Sequence, residues 1–590
     1  MKATSKENVA HLIRTALGQE KPDLLIKRAN LVNVISREII ENVDVLIKNG
    51  RIAAFGKTLK IAGKPQTINA AEKYLTPGFL DGHIHIESST ATLTQFSRAV
   101  LPYGTTGVFI DPHEIANVLG LAGVKLMLDE AKHTPLRVFA TIPSCVPSAK
   151  GLETSGFEIT VADVEKALKW KNVVGLGEMM NYPGVLGCDN EVLAKIVATL
   201  NAGKIVEGHA AGLLGQKLAA YASAGISSCH ESTTMTDAME RLQLGVCTML
   251  REGTTAKDLG ATIKGVGNRD SRNIVLVTDD CDAKTLTHVG HMNHIIDRAI
   301  EEGIDPIVAI QMATINTAEH FGLANTLGSI APNRLADMLI LNSIDKIQVE
   351  TTIIDGKPVA HQGKLLINIA SLKYPTFAKQ TIHLKRPIQA TDLRINAPNL
   401  NQHAKVNVIG VTPGTVVTRH LTETMQVQNG TIKSDAKLDV AKVAVIERHR
   451  QTGNIGLGFA KGFGLREGAI ATTVSHDCHN IIAVGVNDDL IVKAVNKLVE
   501  VDGGYVAVNK QNTLAVLPLP IAGLMSTKKI EIISRERVRM EQFIASLGCT
   551  DPATLMTLSF IALPVIPELK ITDRGLVDVT RFCFIPLVNK

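Results

Sequence analysis

Between Gly78 and Leu327 the chain alternates short apolar runs with stretches of helical period. LRVFATIP, VVGLGEMM, GKIVEGHA, ISSCHE and NIVLVTDD each read as a buried strand followed by a helix, and DPIVAIQMATINTAEHFG closes the series as an amphipathic helix. Parallel strands need long crossovers, and strand–helix repetition over roughly 250 residues supplies them, so the segment predicts a (β/α)8 TIM-like barrel. An open doubly wound sheet is the structural alternative. No G-x-G-x-x-G opens a helix, so nothing points to a dinucleotide site.

The flanks are of another kind. DLLIKRANLVNV and VDVLIKNGRIAAFG alternate apolar and polar positions and carry an Asn-Gly turn; LADMLILNS and TTIIDGKPVAHQGKLL repeat that style with an Asp-Gly turn. Residues 22–77 and 328–373 therefore read as one small β-sandwich domain formed from segments on both sides of the barrel, 78–327. Residues 1–21 form an N-terminal arm, as an amphipathic helix or a loose segment. Residues 374–590, with strands such as GAIATTVS and IIAVGVN and the helical VRMEQFIASLG, read as a C-terminal α+β domain. The fold class is thus α/β, and 590 residues exceed what one hydrophobic core supports.

Charge and cysteine usage narrow the partners. The net charge of +5 is too small for a nucleic-acid or membrane partner without a basic patch, and Arg448–Arg450 and Lys528–Arg539 are short and mixed. No run of about 18 apolar residues is present, and Met1 to Gln19 lacks the apolar region of a signal peptide. Eight cysteines without a C-x-x-C pair read as free thiols in a reducing compartment. The expectation is a soluble cytoplasmic protein, with a homodimer suggested by its size.

The chemistry is concentrated at the strand ends. In GFLDGHIHIESS, His83 and His85 stand two apart on a strand, so both imidazoles point to one face, as two ligands of one Zn, Mn or Fe ion must. Glu178 ends VVGLGE, His209 ends IVEGH, His230 ends ISSCH and Asp279 ends IVLVTD. In a barrel these C-terminal strand ends converge on one face. Four histidines and two carboxylates suit a binuclear site, with Glu178 as the bridge and Asp279 both as ligand and as the group that takes and returns a proton. His288, His291 and His294 follow at helical spacing and read as a helix face, with His291 a candidate lid residue over the pocket.

These residues and their neighbours resemble the amidohydrolase superfamily, and within it the bacterial and archaeal adenine deaminases, over nearly the whole chain. HxH marks the superfamily; IESS, DPHEIANV, GLGEMMN and SHDCHN are more specific. The resemblance implies His83, His85, His209, His230 and Asp279 as metal ligands. It also implies Glu178 where many relatives have a carboxylated lysine. It implies two Mn2+ or Fe2+ ions per subunit, Zn2+ being a further option, and hydrolytic deamination of adenine to hypoxanthine and ammonia by a metal-activated hydroxide. Glu87, Ser88, His113 and Glu114 are candidate substrate-binding groups. His476, Asp477 and His479 lie beyond the barrel, and three readings stay open for them: projection into an active-site mouth, an extra metal, or a hydrogen-bonded turn.

Other functions remain on the same framework. A cyclic-amide hydrolase of the dihydroorotase or hydantoinase type would use this barrel, but such enzymes commonly carry the bridging lysine and an arginine after H-x-H where this chain reads IESS. A non-catalytic scaffold predicts missing ligands. A nucleic-acid deaminase needs P-C-x-x-C, which is absent.

Overall fold

The computed structural model describes residues 5–254, 256–266, 269–397, 402–412 and 415–589. Its centre is a barrel of eight parallel strands: β1 (Phe79–His85), β2 (Thr105–Ile110), β3 (Arg137–Ile142), β4 (Val173–Met179), β5 (Ile205–Gly208), β6 (Ser228–Cys229), β7 (Cys247–Arg251) and β8 (Ile274–Val277). Two of these, β2 and β7, fall outside the five strands and H-x-H segment singled out above. Polar and small residues interrupt their apolar runs.

Strands β1 to β5 form one ladder and β6 to β8 another. The Ser227 N–H bonds the Val206 carbonyl at 2.9 Å, joining β5 to β6. Asp279 and Asp280, just past β8, pair in parallel with Ile84 and His85 of β1 and so close the ring. Buried strands of this kind need no alternation, and all seven residues of β1 are buried. Leu80, Phe109, Phe139, Met249 and Val275 fill the interior, where Phe321 stacks on Phe109 with ring centroids 3.7 Å apart. That plug leaves chemistry to the C-terminal end.

The flanking β segments meet in one nine-stranded sheet, in which Tyr74–Pro77 pairs antiparallel with Met338–Leu341. Its apolar core draws on both segments, with Ile26, Val45 and Leu75 beside Met338 and Ile353. The arm carries the helix Lys6–Ala16, capped by the Ser5 hydroxyl. The C-terminal region is built on a ten-stranded sheet, with the helices Asp488–Glu500, Ile530–Ser546 and Thr554–Phe560 and a three-stranded sheet at its end. Among the described residues no helix is long and apolar enough to cross a membrane.

Two helical readings change. DPIVAIQMATINTAEHFG is two helices, Pro306–Met312 and Ile315–His320, separated at Thr314, whose φ and ψ of −141° and −90° are not helical. The series His288, His291, His294 is not one helix face either. A helix ends at His288, Gly290 takes φ 129°, and a new helix starts at Met292. That backbone is open to glycine and closed to most other residues.

Candidate metal centre and pocket

Each ligand candidate is presented by a strand end, and the order in the chain becomes a ring in space. His83 and His85 come from β1, Glu178 from β4, His209 and His230 from just past β5 and β6, and Asp279 from just past β8. Asp279 holds a left-handed backbone with φ 59°, a conformation that costs of order 1–3 kcal/mol and survives where the surroundings impose it.

Potential ligand atoms lie within 4.8 Å of one another in two groups built on His113 (Asp111, His113 and Glu178; His113, Glu114 and Asp477) and in three linked groups of strand-end candidates: His83, His85 and Glu178; His83, His230 and Asp279; and Glu178, His209 and His230. Glu178 belongs to two of these linked groups, one oxygen 3.4 Å from His85 Nε2 and the other 2.6 Å from His209 Nδ1 and 3.1 Å from His230 Nε2. Asp279 Oδ1 lies 3.2 Å from His85 Nε2 and 3.9 Å from His83 Nε2. Burial raises the Glu178 pKa, yet His209 and His230 outweigh it and hold the carboxyl well below the usual carboxylate range.

The donor set fits divalent cations. Both ring nitrogens of His83 are buried without a hydrogen-bond partner. A buried polar group without a partner is costly, and a cation among these nitrogens and carboxylate oxygens would supply one. The rings are also oriented as ligands are. His85 Nδ1 donates to the Asp111 carbonyl at 2.9 Å, which turns Nε2 toward Glu178 and Asp279. His83 stacks on His230 with centroids 4.1 Å apart.

Several supporting groups were not singled out in the sequence. Asp111, just past β2, accepts the Glu178 backbone N–H at 2.8 Å. Asp81 accepts the Thr278 backbone N–H at 3.1 Å and a bond from its hydroxyl, tying β1 to β8 between the candidate ligands they carry. Glu207 lies 3.6 Å from His83 Nδ1. Arg251, at the end of β7, donates to Asp279 Oδ2 at 3.1 Å and to Asp258 at 2.8 Å, and also bonds Glu231. Asp111 and Arg251 obey the same rule of polar residues at strand ends that exposes Glu178. Asp81 and Glu207 stand inside their strands, where a carboxylate gives no signal.

A cavity of about 330 Å3 opens above the ligands. His113, Glu114, His476 and Asp477 line it beside the ligand groups, so SHDCHN reaches the mouth of the same chain's barrel. Glu114 is the hub: its two oxygens meet His476 Nδ1 at 2.5 Å and His479 Nε2. Burial raises the Glu114 pKa, but His476 and His479 override it and keep the group ionised. His476 is pushed up to about 9, because Glu114 outweighs the effect of burial.

Four candidates do not face the cavity directly. Glu87 accepts the Ile115 N–H at 3.1 Å, and burial pushes its carboxyl up to about 7. Ser88 bonds Asp280, which does line the cavity. His479 stands behind Glu114. His291 is not a lid: its Nδ1 meets the Thr105 hydroxyl at 2.8 Å and its Nε2 lies 3.2 Å from Asp81, with Phe96 edge-on. The helix break at Gly290 turns it inward.

The opposite wall of the cavity comes from the C-terminal domain, through Val416, Met556, Phe560 and their neighbours. Two family models match the chain. The model described as the amidohydrolase family matches residues 74–359, and that of the adenine deaminase C-terminal domain matches 415–583. An adenine deaminase of Moorella thermoacetica is 47% identical over 587 residues, covering 99% of this chain and 98% of that one. The chain belongs to the adenine deaminase family. Adenine deaminase 3 of Rhizobium meliloti is 44% identical over 98% of each chain. An adenine deaminase of Clostridium botulinum strain Loch Maree is 42% identical over 98% of this chain and 97% of its own. The amidohydrolase part carries every ligand candidate. The part specific to adenine deaminases supplies His476, Asp477 and the apolar wall.

Proposed function

We infer that the protein hydrolyses adenine to hypoxanthine and ammonia. The observation that carries this reading is the composition of the cavity, with a six-residue metal-binding set on one side and a wall from the adenine deaminase C-terminal domain on the other. His83, His85, His209, His230, Glu178 and Asp279 would hold divalent ions, two per subunit, because Glu178 joins the group of His83 and His85 to that of His209 and His230. Manganese or iron is the proposed occupant, with zinc acceptable to the same donors. Bound there, such ions lower the pKa of water toward about 7 and make hydroxide available near neutral pH.

The chain's own residues do the rest. Asp279 takes the proton of the attacking water and returns it to the departing amine at C6. Arg251 holds its Oδ2, leaving Oδ1 on the side of His83 and His85. His113 and His476 present N–H donors for ring nitrogens, and Glu114 and Asp477 present acceptors for the exocyclic amine, all from the cavity wall. The apolar wall excludes water from the ring faces. A substrate carboxylate, as in cyclic-amide hydrolysis, would need a free cation. Arg251 is engaged by Glu231, Asp258 and Asp279.

The eight cysteines are free, which suits a reducing cytoplasm, and a homodimer completes the proposal. The test is ammonia release by protein loaded with Mn(II) or Fe(II) and offered adenine, adenosine or cytosine, with ring opening of dihydroorotate alongside. Release from adenine is expected. Turnover of the cyclic amide with none of adenine overturns the reading, and full activity in His83→Ala overturns the metal assignment.

A further inference from the structure

The apolar wall has two parts, Val416 and Val417 in one segment and Met556, Phe560, Leu563 and Ile566 in another. One side chain joins them. Lys570, in the strand Leu569–Thr572, is 0% exposed. Its Nζ donates to the Val416 carbonyl at 2.7 Å and to the Phe560 carbonyl at 3.0 Å. Thr418 ties the first segment to the same strand through the Leu569 carbonyl at 2.8 Å.

Among the described residues no carboxylate pairs with Lys570, and burial alone pushes its ammonium down to about 7. A lysine buried without an anion is costly, and an apolar side chain of similar length would remove that cost. Core packing therefore does not account for it. What the amine adds is a donor for two backbone oxygens, and both belong to residues that face the cavity. Phe560 also lies parallel to His476, at 4.4 Å and 5°, so its position sets that of a polar group on the neighbouring wall.

We propose that Lys570 is a positioning residue for substrate binding, clamping the two apolar segments so that a flat heteroaromatic ring is enclosed against the metal-facing side. This rests on the reading that the cavity takes adenine. The lysine touches neither the ring nor the ligand groups. Its loss should therefore weaken binding in ground and transition states alike, raising KM with little change in kcat.

The test compares Lys570→Met and Lys570→Gln with Lys442→Met, all loaded with Mn(II). Lys442 is another buried lysine, whose Nζ bonds the Leu393 carbonyl and Asp488, away from the cavity. Lys570→Met should raise KM for adenine by about tenfold or more, with kcat within about threefold of the parent and metal content unchanged. Lys570→Gln, which keeps an amide donor, should show a smaller rise, and Lys442→Met none. The proposal is overturned by an unchanged KM in Lys570→Met, by an equal rise in Lys442→Met, or by loss of kcat with metal content. If neither Lys570 variant folds, the residue serves the fold and the proposal is equally overturned. A parent protein inactive on adenine removes the functional reading itself, and this proposal with it; an active parent with insensitive Lys570 variants removes only the clamp.

Discussion

Arg251 holds a candidate ligand in place without itself being one. Its guanidinium binds the Asp279 oxygen that points away from the histidines, and Glu231 and Asp258 hold the guanidinium in turn. A neutral amide cannot span three carboxylates, and without the cation those acids repel one another. Arg251→Gln should lower kcat for adenine by about tenfold or more, the range expected when a partner of a metal ligand is lost. Steady-state kinetics with metal analysis on the same samples decides it, and unchanged kcat would show that Arg251 does not support the reaction. His320 offers a second single-residue test, of stability. Burial pulls its pKa from 6.5 to about 4. The unfolded chain thus takes a proton near pH 6.5 that the fold refuses until about pH 4, so stability present above pH 6.5 is lost as pH falls. Because His320 is only partly buried, the difference is worth at most about 3 kcal/mol when complete. Urea unfolding of the parent and of His320→Gln between pH 7.5 and 5 should diverge as pH falls, the parent losing more. Parallel curves would show that the imidazole is not buried neutral.

At the scale of the strand, the placement of Glu178 depends on the residue before it. Gly177 in β4 has no side chain, and a Cβ there would overlap the Asp111 carboxyl group. That carboxyl accepts the Glu178 N–H, so one small residue lets two strands share the hydrogen bond that fixes the candidate bridge. Gly177→Ala should push Asp111 aside and lower metal affinity by about ten- to a hundredfold. Titration of the apoprotein with Mn(II) reads it, and parent-like affinity would show that the strands yield. This is also where the sequence proved legible, and where it did not. Buried parallel strands read as short, mostly apolar runs, and the His, Glu or Asp ending each run stands out even where Ser, Gly or Glu interrupts it, which is why Glu178, His209, His230 and Asp279 can be read in order. Arg251 and Asp111 follow the same rule but end strands diluted by Thr, Gly and Met. Gly177 looks like any strand glycine until Asp111 is placed against it. Lys570, in the run ELKIT, reads as the solvent side of a strand, because only tertiary packing shows that this side is covered. The helical spacing of His288, His291 and His294 misleads because Gly290 breaks the helix between them.

At the scale of the molecule, the candidate ligands are distributed so that metal binding would be coupled to closure of the barrel. His83 and His85 come from β1 and Asp279 from the far end of β8, and those two strands seal the ring through Asp279–Ile84 and Asp280–His85 pairing. The other candidate ligands come from β4, β5 and β6, so ions held by this set would tie together strands around most of the circumference. An unfolded chain offers the same residues with no preformed geometry and binds far more weakly. Ligands selective for the folded state stabilise it by mass action, by about 2.7 kcal/mol when free metal is a hundred times its dissociation constant. Chelator-treated protein should therefore melt at a lower temperature than protein reloaded with Mn(II), and the difference should shrink as free metal is reduced. In His83→Ala, which removes a member of two ligand groups, reloading should recover much less of it. Scanning calorimetry with metal analysis makes the measurement. Identical transitions for chelated and reloaded parent protein, with the metal shown to be bound, would mean that the ions occupy a site the barrel does not need in order to close.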